Sequence, residues 1–417
     1  MTLKARFGLI VLGVILFLAV TPVLVLYARG FKVDFHNRQI VKTGTLVVKT
    51  EPNKATIFLN DQKQASLTPS NVRFLIPDDY DVRIEKDDYQ TWTKRLSVKS
   101  QLVTWANHNR DFITLFLQLP KLKQIWETDL VRVSKTHDEI VFSSNEQVHS
   151  INVNNNNLTE LGGLASVWLT YLPTKTIVDW QNSAQVYQRL VEQTLPVLSD
   201  KQISQIRRVE TNGTHVLLQL DTDLYSLDNL SPALLANNVL AFTLTSEDVW
   251  YIQAETLKLF NFAANNPATI AENVPKTTSG KIIRSDNQVY LILDQGLYVL
   301  NEKLEKIYDN VSNAAWDKTS DQLLLANANE ILLYDPDKKN TNLILRSTTP
   351  ISNPTLNTET GYVFFQSEGL IKAIELDGRD HRNIYEITES IGDFVLSEDG
   401  QTLYTFNNVE IKQYTIR

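Results

Sequence analysis

The stretch Phe394-Val-Leu-Ser-Glu-Asp-Gly-Gln-Thr-Leu-Tyr404 contains the pattern that decides the fold of most of this chain. Two short apolar runs flank the polar residues Ser-Glu-Asp-Gly, and an Asp-Gly pair is typical of a tight turn that needs a positive φ. The same plan recurs in residues 313–325 (NAAWDKTSDQLLL) and 355–365 (TLNTETGYVFF). Alternation with a period of two predicts antiparallel strands joined by turns. We therefore expect an all-β protein.

The clearest strand of each unit recurs every 33 to 40 residues along residues 119–417. Repeats of about 40 residues with several strands each are typical of a β-propeller. Eight strand positions predict eight blades, with seven as the alternative if one early unit is an insertion. The weakest fit is 183–206, where the sequence is compatible with a helix that leaves blade two. The strands start near Ile140, Ile177, Val216, Val249, Val289, Leu323, Val363 and Leu403.

The last repeat supplies only three strands, in residues 391–396, 401–406 and 409–416, whereas a propeller blade has four. A missing outer strand would leave an exposed sheet edge, which promotes aggregation. Residues 121–128 (KLKQIWET) precede the first blade and have no blade of their own. We therefore predict that 121–128 pairs with 409–416 and closes the ring.

Residues 7–27 form an uncharged apolar run near the amino terminus. As a helix, these 21 residues would rise about 1.5 Å each and cross a hydrocarbon core of about 30 Å. A cleavable signal usually has an apolar region of about 7–15 residues that ends at a small-residue site. This run is longer, lacks an Ala-x-Ala site and contains Pro22. We predict that 1–30 is a short inner tail with an uncleaved transmembrane anchor, and a cleaved signal is the alternative.

The orientation of this anchor follows from the size of the two parts, because the flanking charges give only a weak bias. A six-residue tail faces nearly 390 residues, which favours export of the larger part. We expect a single-pass cell-membrane protein with most of the chain outside the cytoplasm. So short a tail also argues against a sensor that signals inward.

A small module, residues 43–118, lies between a linker at 31–42 and the propeller at 119–417. Its residues resemble the PEGA domain, a small β-sandwich found repeatedly in bacterial surface proteins. The resemblance rests on Gly44-Thr-Leu-Val-Val-Lys-Thr50, Pro52-x-x-Ala55, Ile57-Phe-Leu59-Asn60-Asp61, Thr68-Pro69, Leu75-x-Pro77-x-x-Tyr80-x-Val82-x-Ile84 and Tyr89-x-x-Trp92.

Turns within this module depart from the family in two places. Asp79 and Asp88 stand where the family usually has glycine, and we expect aspartate to accept a positive φ there. Asn60-Asp61 predicts a hairpin turn with left-handed residues. Pro69 and Pro77 should mark strand ends, because proline cannot donate to a central sheet.

Aromatic residues of the same module allow two interpretations. Tyr80, Tyr89 and Trp92 could form a surface that stacks on a ligand, or they could belong to the core. Alternating aromatic residues in a small sandwich are usually buried. We expect these three side chains to be core residues.

No catalytic, cofactor-binding or metal-binding residue is predicted for the chain. It has no cysteine and six histidines, and no two histidines have the short spacing of ligands on one strand or helix face. The acidic pairs in Asp335-Pro-Asp337 and Asp221-x-Asp223 lack the glycine and glutamate that continue a calcium loop. The asparagine-rich residues 152–157 suit an inter-strand loop. A net charge of −8 argues against attraction of the whole chain to nucleic acid or to anionic lipid.

Function is predicted at the level of class. The sequences around Asp399-Gly400 and Asp377-Gly378 resemble turns of TolB-like and WD-repeat propellers, a resemblance that implies architecture and not activity. We expect a non-enzymatic, membrane-anchored surface scaffold whose propeller binds a protein or a cell-envelope glycan, and whose PEGA-like module is a spacer or an envelope contact near the membrane. The alternative is a hydrolase or lyase that acts on envelope polysaccharide, which would require two carboxylates converging on the channel.

Overall fold

The computed structural model of the protein describes residues 3–34, 39–108, 110–133, 139–145, 147–163, 206–211, 215–226, 233–285, 287–407 and 409–417. It divides into two compact units. The first unit comprises residues 1–119 together with 375–385 and 417, and the second comprises 120–374 and 386–416. Apart from one helix near the amino terminus, the regular structure in the described residues consists of strands.

The helix α1 spans Leu3–Ala28 and contains Pro22. Its segment Ile10–Ala28 has a mean hydropathy of 2.8, and none of it is buried inside the protein. Such a helix is long and apolar enough to cross a membrane, and a signal sequence has the same properties. The apolar helix predicted from the sequence is therefore present.

The described residues of the first unit form eleven short strands in four small sheets. The largest sheet has the order β6-β5-β8-β9 and is antiparallel, and β10-β3-β7 forms a second sheet. The strands are β1 (Phe31–Asp34), β2 (Gln39–Lys42), β3 (Gly44–Val48), β4 (Thr50–Glu51), β5 (Thr56–Leu59), β6 (Gln62–Leu67), β7 (Ser70–Leu75), β8 (Asp78–Glu85), β9 (Trp92–Val98), β10 (Val103–Trp105) and β11 (Ile113–Thr114).

Some details of this unit differ from the sequence-based expectations. The strands are not all antiparallel, because β10 pairs with β3 and β11 pairs with β4 in parallel. The residues expected to be a linker contain the hairpin β1–β2. Asp88 has the expected positive φ of 68°, but Asp79 does not, since it lies within β8 and pairs with Ser97.

The core of the first unit confirms the interpretation of the aromatic residues. Trp92 is fully buried, and Tyr80 and Tyr89 pack against the same cluster. The turn residues Asn60 and Asp61 have φ values of 48° and 60°, as predicted for the β5–β6 hairpin. Pro69 and Pro77 lie between strands, and this also agrees with the expectation.

The second unit contains seven four-stranded antiparallel sheets within the described residues. Six are formed by consecutive strands: β13–β16, β17–β20, β21–β24, β25–β28, β29–β32 and β33–β36. The strands are β12 (Lys121–Glu127), β13 (Leu130–Val133), β14 (Glu139–Ser144), β15 (Gln147–Asn152), β16 (Leu158–Gly163), β17 (Ile206–Thr211), β18 (Val216–Leu220), β19 (Asp223–Ser226), β20 (Ala233–Ala236), β21 (Val239–Leu244), β22 (Asp248–Gln253), β23 (Thr256–Asn261), β24 (Asn266–Ala271), β25 (Gly280–Arg284), β26 (Val289–Leu293), β27 (Gly296–Leu300), β28 (Leu304–Tyr308), β29 (Asn313–Asp317), β30 (Gln322–Ala326), β31 (Glu330–Asp335), β32 (Asn340–Arg346), β33 (Ser352–Asn357), β34 (Tyr362–Ser367), β35 (Leu370–Glu375), β36 (Ile384–Glu389), β37 (Asp393–Leu396), β38 (Thr402–Phe406) and β39 (Glu410–Thr415).

The predicted repeat coincides with these sheets. Seven of the eight predicted strand positions fall in the second strand of a four-stranded sheet, namely Ile140, Val216, Val249, Val289, Leu323, Val363 and Leu403. The eighth position, Ile177, and residues 183–205 lie outside the described residues. The choice between eight and seven blades therefore stays a prediction.

Neighbouring sheets of the second unit pack against each other as propeller blades do. The first strands β17, β21, β25 and β29 contact one another in succession. One apolar cluster joins sheet β21–β24 to sheet β25–β28, and another joins sheet β25–β28 to sheet β29–β32. Polar bridges reinforce this packing, because Lys281 Nζ donates to Asn313 Oδ1 at 2.7 Å and Asn353 Nδ2 donates to Asp393 Oδ1 at 2.8 Å.

The seventh sheet has the order β12-β39-β38-β37 and joins the two ends of the propeller sequence. Lys121 pairs with Thr415 and Glu127 pairs with Glu410, so that β12 forms the outer strand of the last blade. The ring closure predicted from the strand count is confirmed. Trp126 of β12 packs in a cluster that β37–β39 share with sheet β13–β16.

Turns of the propeller show one prediction confirmed and one wrong. Gly400 has a φ of 69°, as its Asp-Gly sequence predicts. Gly378 is not among the described residues with positive φ, since Asp377-Gly378 belongs to the long β35–β36 connection. That connection lies in the first unit, where its polar residues bind strand β9.

Candidate binding cleft and buried charge cluster

A polar cleft of about 330 Å³ opens at one end of the sheet β25–β28. Its floor is the β26–β27 turn, where Asp294 and Gln295 both have positive φ values, 51° and 113°. Its walls are the connection that enters β25 and the residues that follow β28. The lining residues are Pro275, Lys276, Thr277, Leu293, Asp294, Gln295, Gly296, Tyr298, Lys306, Asp309 and Asn310.

Hydrogen bonds hold both walls to the floor of the cleft. On one side, Asp294 Oδ1 accepts from the amides of Thr278 and Ser279 at 2.9 and 3.0 Å. On the other side, the amide of Val311 donates to the carbonyl oxygen of Gln295 at 2.8 Å. The shape of the cleft is therefore fixed by the protein itself.

The carboxylate of Asp294 stays ionised over the whole physiological range. Hydrogen bonds from the Thr277 hydroxyl and from the Thr278 and Ser279 amides lower its pKa to about 2. A general acid or base works best with a pKa near the operating pH. Asp294 is thus suited to accept hydrogen bonds and to position a ligand.

The opposite wall presents a cation beside an aromatic ring. Lys306 forms an ion pair with Asp309, and this hydrogen bond raises the pKa of the lysine. The Lys306 ammonium also lies 6.0 Å from the centre of the Tyr298 ring. Carboxylate and amide acceptors, ammonium donors and one aromatic face together match a ligand rich in hydroxyl groups.

The first unit contains a second notable group of side chains, a buried charge cluster around Lys94. The Lys94 side chain has no exposed surface. Its ammonium lies 2.9 Å from Glu375 Oε2 and 3.5 Å from Asp377 Oδ2, and it donates to the Asp377 carbonyl oxygen at 2.8 Å. Two carboxylates and a carbonyl group therefore compensate one buried cation.

Each carboxylate of the cluster has further donors. Glu375 accepts from Trp92 Nε1 at 3.1 Å and from Asn383 Nδ2 at 2.8 Å. Burial alone would raise the pKa of Asp377, but hydrogen bonds from Arg379 and the charges of Lys94 and Arg379 outweigh burial and lower that pKa. The cluster is a satisfied polar network, and we interpret it as structural.

Strand β9 offers a sequence signal for this cluster. Its burial alternates, with Trp92, Lys94, Leu96 and Val98 all inward. A lysine in register with three apolar residues indicates a buried charge that needs a partner. The partners lie more than 280 positions away in the chain, and no local pattern identifies them.

The histidines and acidic turns occupy structural positions where they are described. His149 stacks on Phe142 and His215 stacks on Phe262, at 5.2 and 3.6 Å between ring centres. His381 Nδ1 lies 2.7 Å from Asp380 Oδ2. Asp335 accepts hydrogen bonds from Lys338 within its turn. His36 and His137 lie outside the described residues, and among those described no His, Asp and Glu residues group as a metal site would require.

Carboxylates on the first strands of the blades bear on the enzyme alternative. Glu210 accepts from the Leu244 amide at 2.8 Å and pairs with Arg208. Asp317 accepts from Ser320, and Asp393 accepts from Asn353. Each of these three has a partner of its own. A hydrolase or lyase with two carboxylates converging on a substrate stays a hypothesis.

Comparison with known proteins identifies the small module. The PEGA domain matches residues 43–110, so the chain contains a PEGA domain, as the sequence resemblance implied. No curated protein matches the chain.

Two solved structures are similar to the chain at 11% sequence identity and a TM-score of 0.42. One is the extracellular domain of a B. thetaiotaomicron protein described as a one component system, and the alignment covers 70% of this chain and 40% of that one. The other is a chain of the Mitotic Checkpoint Complex, and the alignment covers 72% of this chain and 92% of that one. The chain thus spans less than half of the first structure.

Proposed function

We propose that this protein is a membrane-anchored surface protein that acts by binding, with α1 as its anchor and the β25–β28 cleft as a site for a glycan. The observation that carries the anchor is the exposed apolar helix, since no part of Ile10–Ala28 lies inside the protein core. A bilayer would cover that surface. The propeller then lies outside the cytoplasm, as the size of the exported part favours.

The composition of the cleft supports a hydroxyl-rich ligand. A volume of about 330 Å³ is at the lower end of the range of small-molecule sites, about 300–1,000 Å³. One or two sugar rings fit this volume. The Asp294 carboxylate would accept hydroxyl hydrogen bonds, and the Tyr298 ring would pack on an apolar sugar face.

A binding role also agrees with the charge state of the cleft. Asp294 has a pKa of about 2. A group that exchanges protons efficiently needs a pKa close to the operating pH. Lys306 is paired with Asp309. Both groups are therefore better suited to recognition than to acid–base chemistry, which favours binding over hydrolysis or elimination at this site.

The test is glycan binding by the full chain in detergent micelles. An array of bacterial envelope oligosaccharides would identify a ligand, and titration calorimetry would then measure its affinity for the wild type and two variants. Tyr298→Ala should weaken binding about tenfold or more, which corresponds to about 1.4 kcal/mol. Tyr414→Ala is the matched control, because Tyr414 lies in β39, the third strand of its own sheet, as Tyr298 lies in β27.

The glycan assignment fails if no oligosaccharide binds, or if the two tyrosine variants lose the same affinity. Release of a shortened product from a bound oligosaccharide would instead favour the enzyme alternative. Either result leaves the membrane anchor to be judged separately.

A further inference from the structure

The end of α1 is linked through hydrogen bonds to three segments of the first unit that we call the collar: residues 29–33, 39–45 and 99–105. Hydrogen bonds hold these segments together. The Gly30 carbonyl oxygen accepts from both the amide and the hydroxyl of Thr43 at 2.8 Å. The amide of Gln101 donates to the Thr43 carbonyl oxygen at 3.0 Å, and Lys42 Nζ donates to Gln101 Oε1 at 2.9 Å.

A ring contact fixes the helix to the module on another side. The Tyr27 ring stacks on Phe74 with 5.0 Å between ring centres and 17° between planes. Lys32 Nζ donates to the Phe74 carbonyl oxygen at 3.4 Å. Because contacts and not a free linker join α1 to the module, the collar is held at the point where the helix ends.

Apolar side chains of the collar are exposed. Leu102 and Val103 are 56% and 53% exposed. Val33 and Ile40, which face each other across the β1–β2 hairpin, are about equally exposed. Trp105 is also exposed, and the ammonium of Lys49 lies 5.4 Å from its ring. Tryptophan beside lysine is common at the boundary between lipid and water.

The charge of the collar is opposite to that of the whole chain. The three segments contain Arg29, Lys32, Lys42 and Lys99 and no acidic residue, although Asp34 follows directly. The chain as a whole has a net charge of −8. Basic residues near a membrane surface attract anionic lipids, at about 1 kcal/mol per residue.

We infer that the collar is a second membrane contact, in which Leu102, Val103 and Trp105 enter the headgroup region of the bilayer and the four cations bind anionic phospholipid. This inference rests on the anchoring part of the proposed function. An apolar surface of this kind inserts to a depth of roughly 5–10 Å, at the boundary between headgroups and acyl chains. The first unit then lies on the membrane and does not extend away from it.

Site-specific fluorescence tests the inference directly, because the chain has no cysteine of its own. Single variants Leu16→Cys, Leu102→Cys and Leu119→Cys would be labelled with one fluorophore in the full chain. The labelled protein would be reconstituted in phosphatidylcholine vesicles with about 30% phosphatidylglycerol. A nitroxide on the upper acyl chain of a lipid then quenches a label at the interface, and a nitroxide near the end of the acyl chain quenches a label at the bilayer centre, where position 16 would lie. Leu119 is the matched control, an 82% exposed leucine of the same unit outside the collar.

We expect quenching of the labels at 16 and 102, several-fold stronger than at 119, and weaker quenching at 102 in phosphatidylcholine alone. If the label at 102 is quenched no more than the label at 119 while that at 16 is quenched, the anchor holds and the inference is wrong. If the label at 16 is not quenched, the anchoring itself fails. Equal quenching at 102 in both lipids would overturn the role of anionic lipid.

Discussion

Lys94 shows how one residue can determine the energetics of its surroundings. A buried ammonium group is unfavourable unless its charge and all its donors are satisfied, and here Glu375 and Asp377 satisfy them. Loss of either side of such an arrangement leaves a buried charge without compensation. The stability of the first unit should therefore depend strongly on this side chain.

Replacement of Lys94 by methionine tests that dependence. We expect Lys94→Met to lower the free energy of unfolding by about 3–5 kcal/mol, because it leaves the carboxylates of the cluster without the ammonium. Lys338→Met is the control, since Lys338 pairs with Asp335 at 2.6 Å with 72% of its side chain exposed, and an exposed ion pair contributes little to stability. Chemical denaturation of the full chain in micelles measures both values, and equal losses would contradict the argument.

Two glycines allow the cost of backbone strain to be measured separately from the cost of a steric clash. Both Gly400 and Gly369 have positive φ, at 69° and 76°. A Cβ atom at Gly400 would lie 2.2 Å from Thr360 Cγ2, whereas nothing lies within 4 Å of one at Gly369. Gly369→Ala should lower the free energy of unfolding by about 1–2 kcal/mol through backbone strain alone. Gly400→Ala should lower it by about 1–3 kcal/mol more, and thermal denaturation that ranks the two alike would refute this.

Single residues also mark the limits of what the sequence predicts. The Asp-Gly pair at 399–400 determines its own turn, because the φ requirement is local. The Asp-Gly pair at 377–378 does not determine its own turn. Asp377 binds Arg379 and Lys94 instead, and Lys94 is distant in the sequence. The cleft was not predicted from the sequence for the same reason: its residues come from three strands and from three separate connections.

At the scale of elements, β12 completes a blade whose other strands lie at the opposite end of the propeller sequence. Trp126 contributes most visibly, because its ring lies 6.4 Å from that of Tyr404 and 6.5 Å from that of Phe142. It therefore joins the closing sheet to the sheet β13–β16. Because Trp126 contacts both sheets, its removal should destabilise the outer strand β12.

Truncation of that side chain tests the closure. Trp126→Ala should lower the free energy of unfolding by about 3 kcal/mol, the lower end of the range for tryptophan because the ring is partly exposed. The adjacent Ile125 is 48% exposed, and Ile125→Ala should change it by less than about 1 kcal/mol. Circular dichroism during thermal unfolding of the full chain compares them. An unchanged melting temperature in Trp126→Ala would mean that β12 is dispensable.

Elements were predictable where their signal was internal to the strand. The second strand is strongly apolar in several blades, as in β26 (VYLIL) and β30 (QLLLA), so that Val289 and Leu323 indicate its position. Closure of the propeller was predictable because a blade has four strands and the last repeat supplies only three. The parallel pairs β3–β10 and β4–β11 were not predictable. The alternation of apolar and polar residues in a strand does not identify the strand with which it pairs.

At the scale of the whole molecule, α1 decides where the protein resides. We expect residues 1–27 to be retained, because the apolar run is long and lacks a small-residue cleavage site. Intact-mass measurement of protein purified from membranes tests this, and a chain that begins after residue 20 would refute it. Protease added to intact cells should reach the propeller, and full protection would place it in the cytoplasm.

The order of strands in the closing sheet also has a consequence in time. Strand β12 is made early, and its partner β39 follows about 290 residues later. At ordinary rates of translation, this delay is roughly 15 to 60 s. During that interval Ile125 and Trp126 have no partner strand, and an unpaired edge invites association with other chains. We therefore expect the nascent chain to depend on chaperones or on slow export until β39 has emerged.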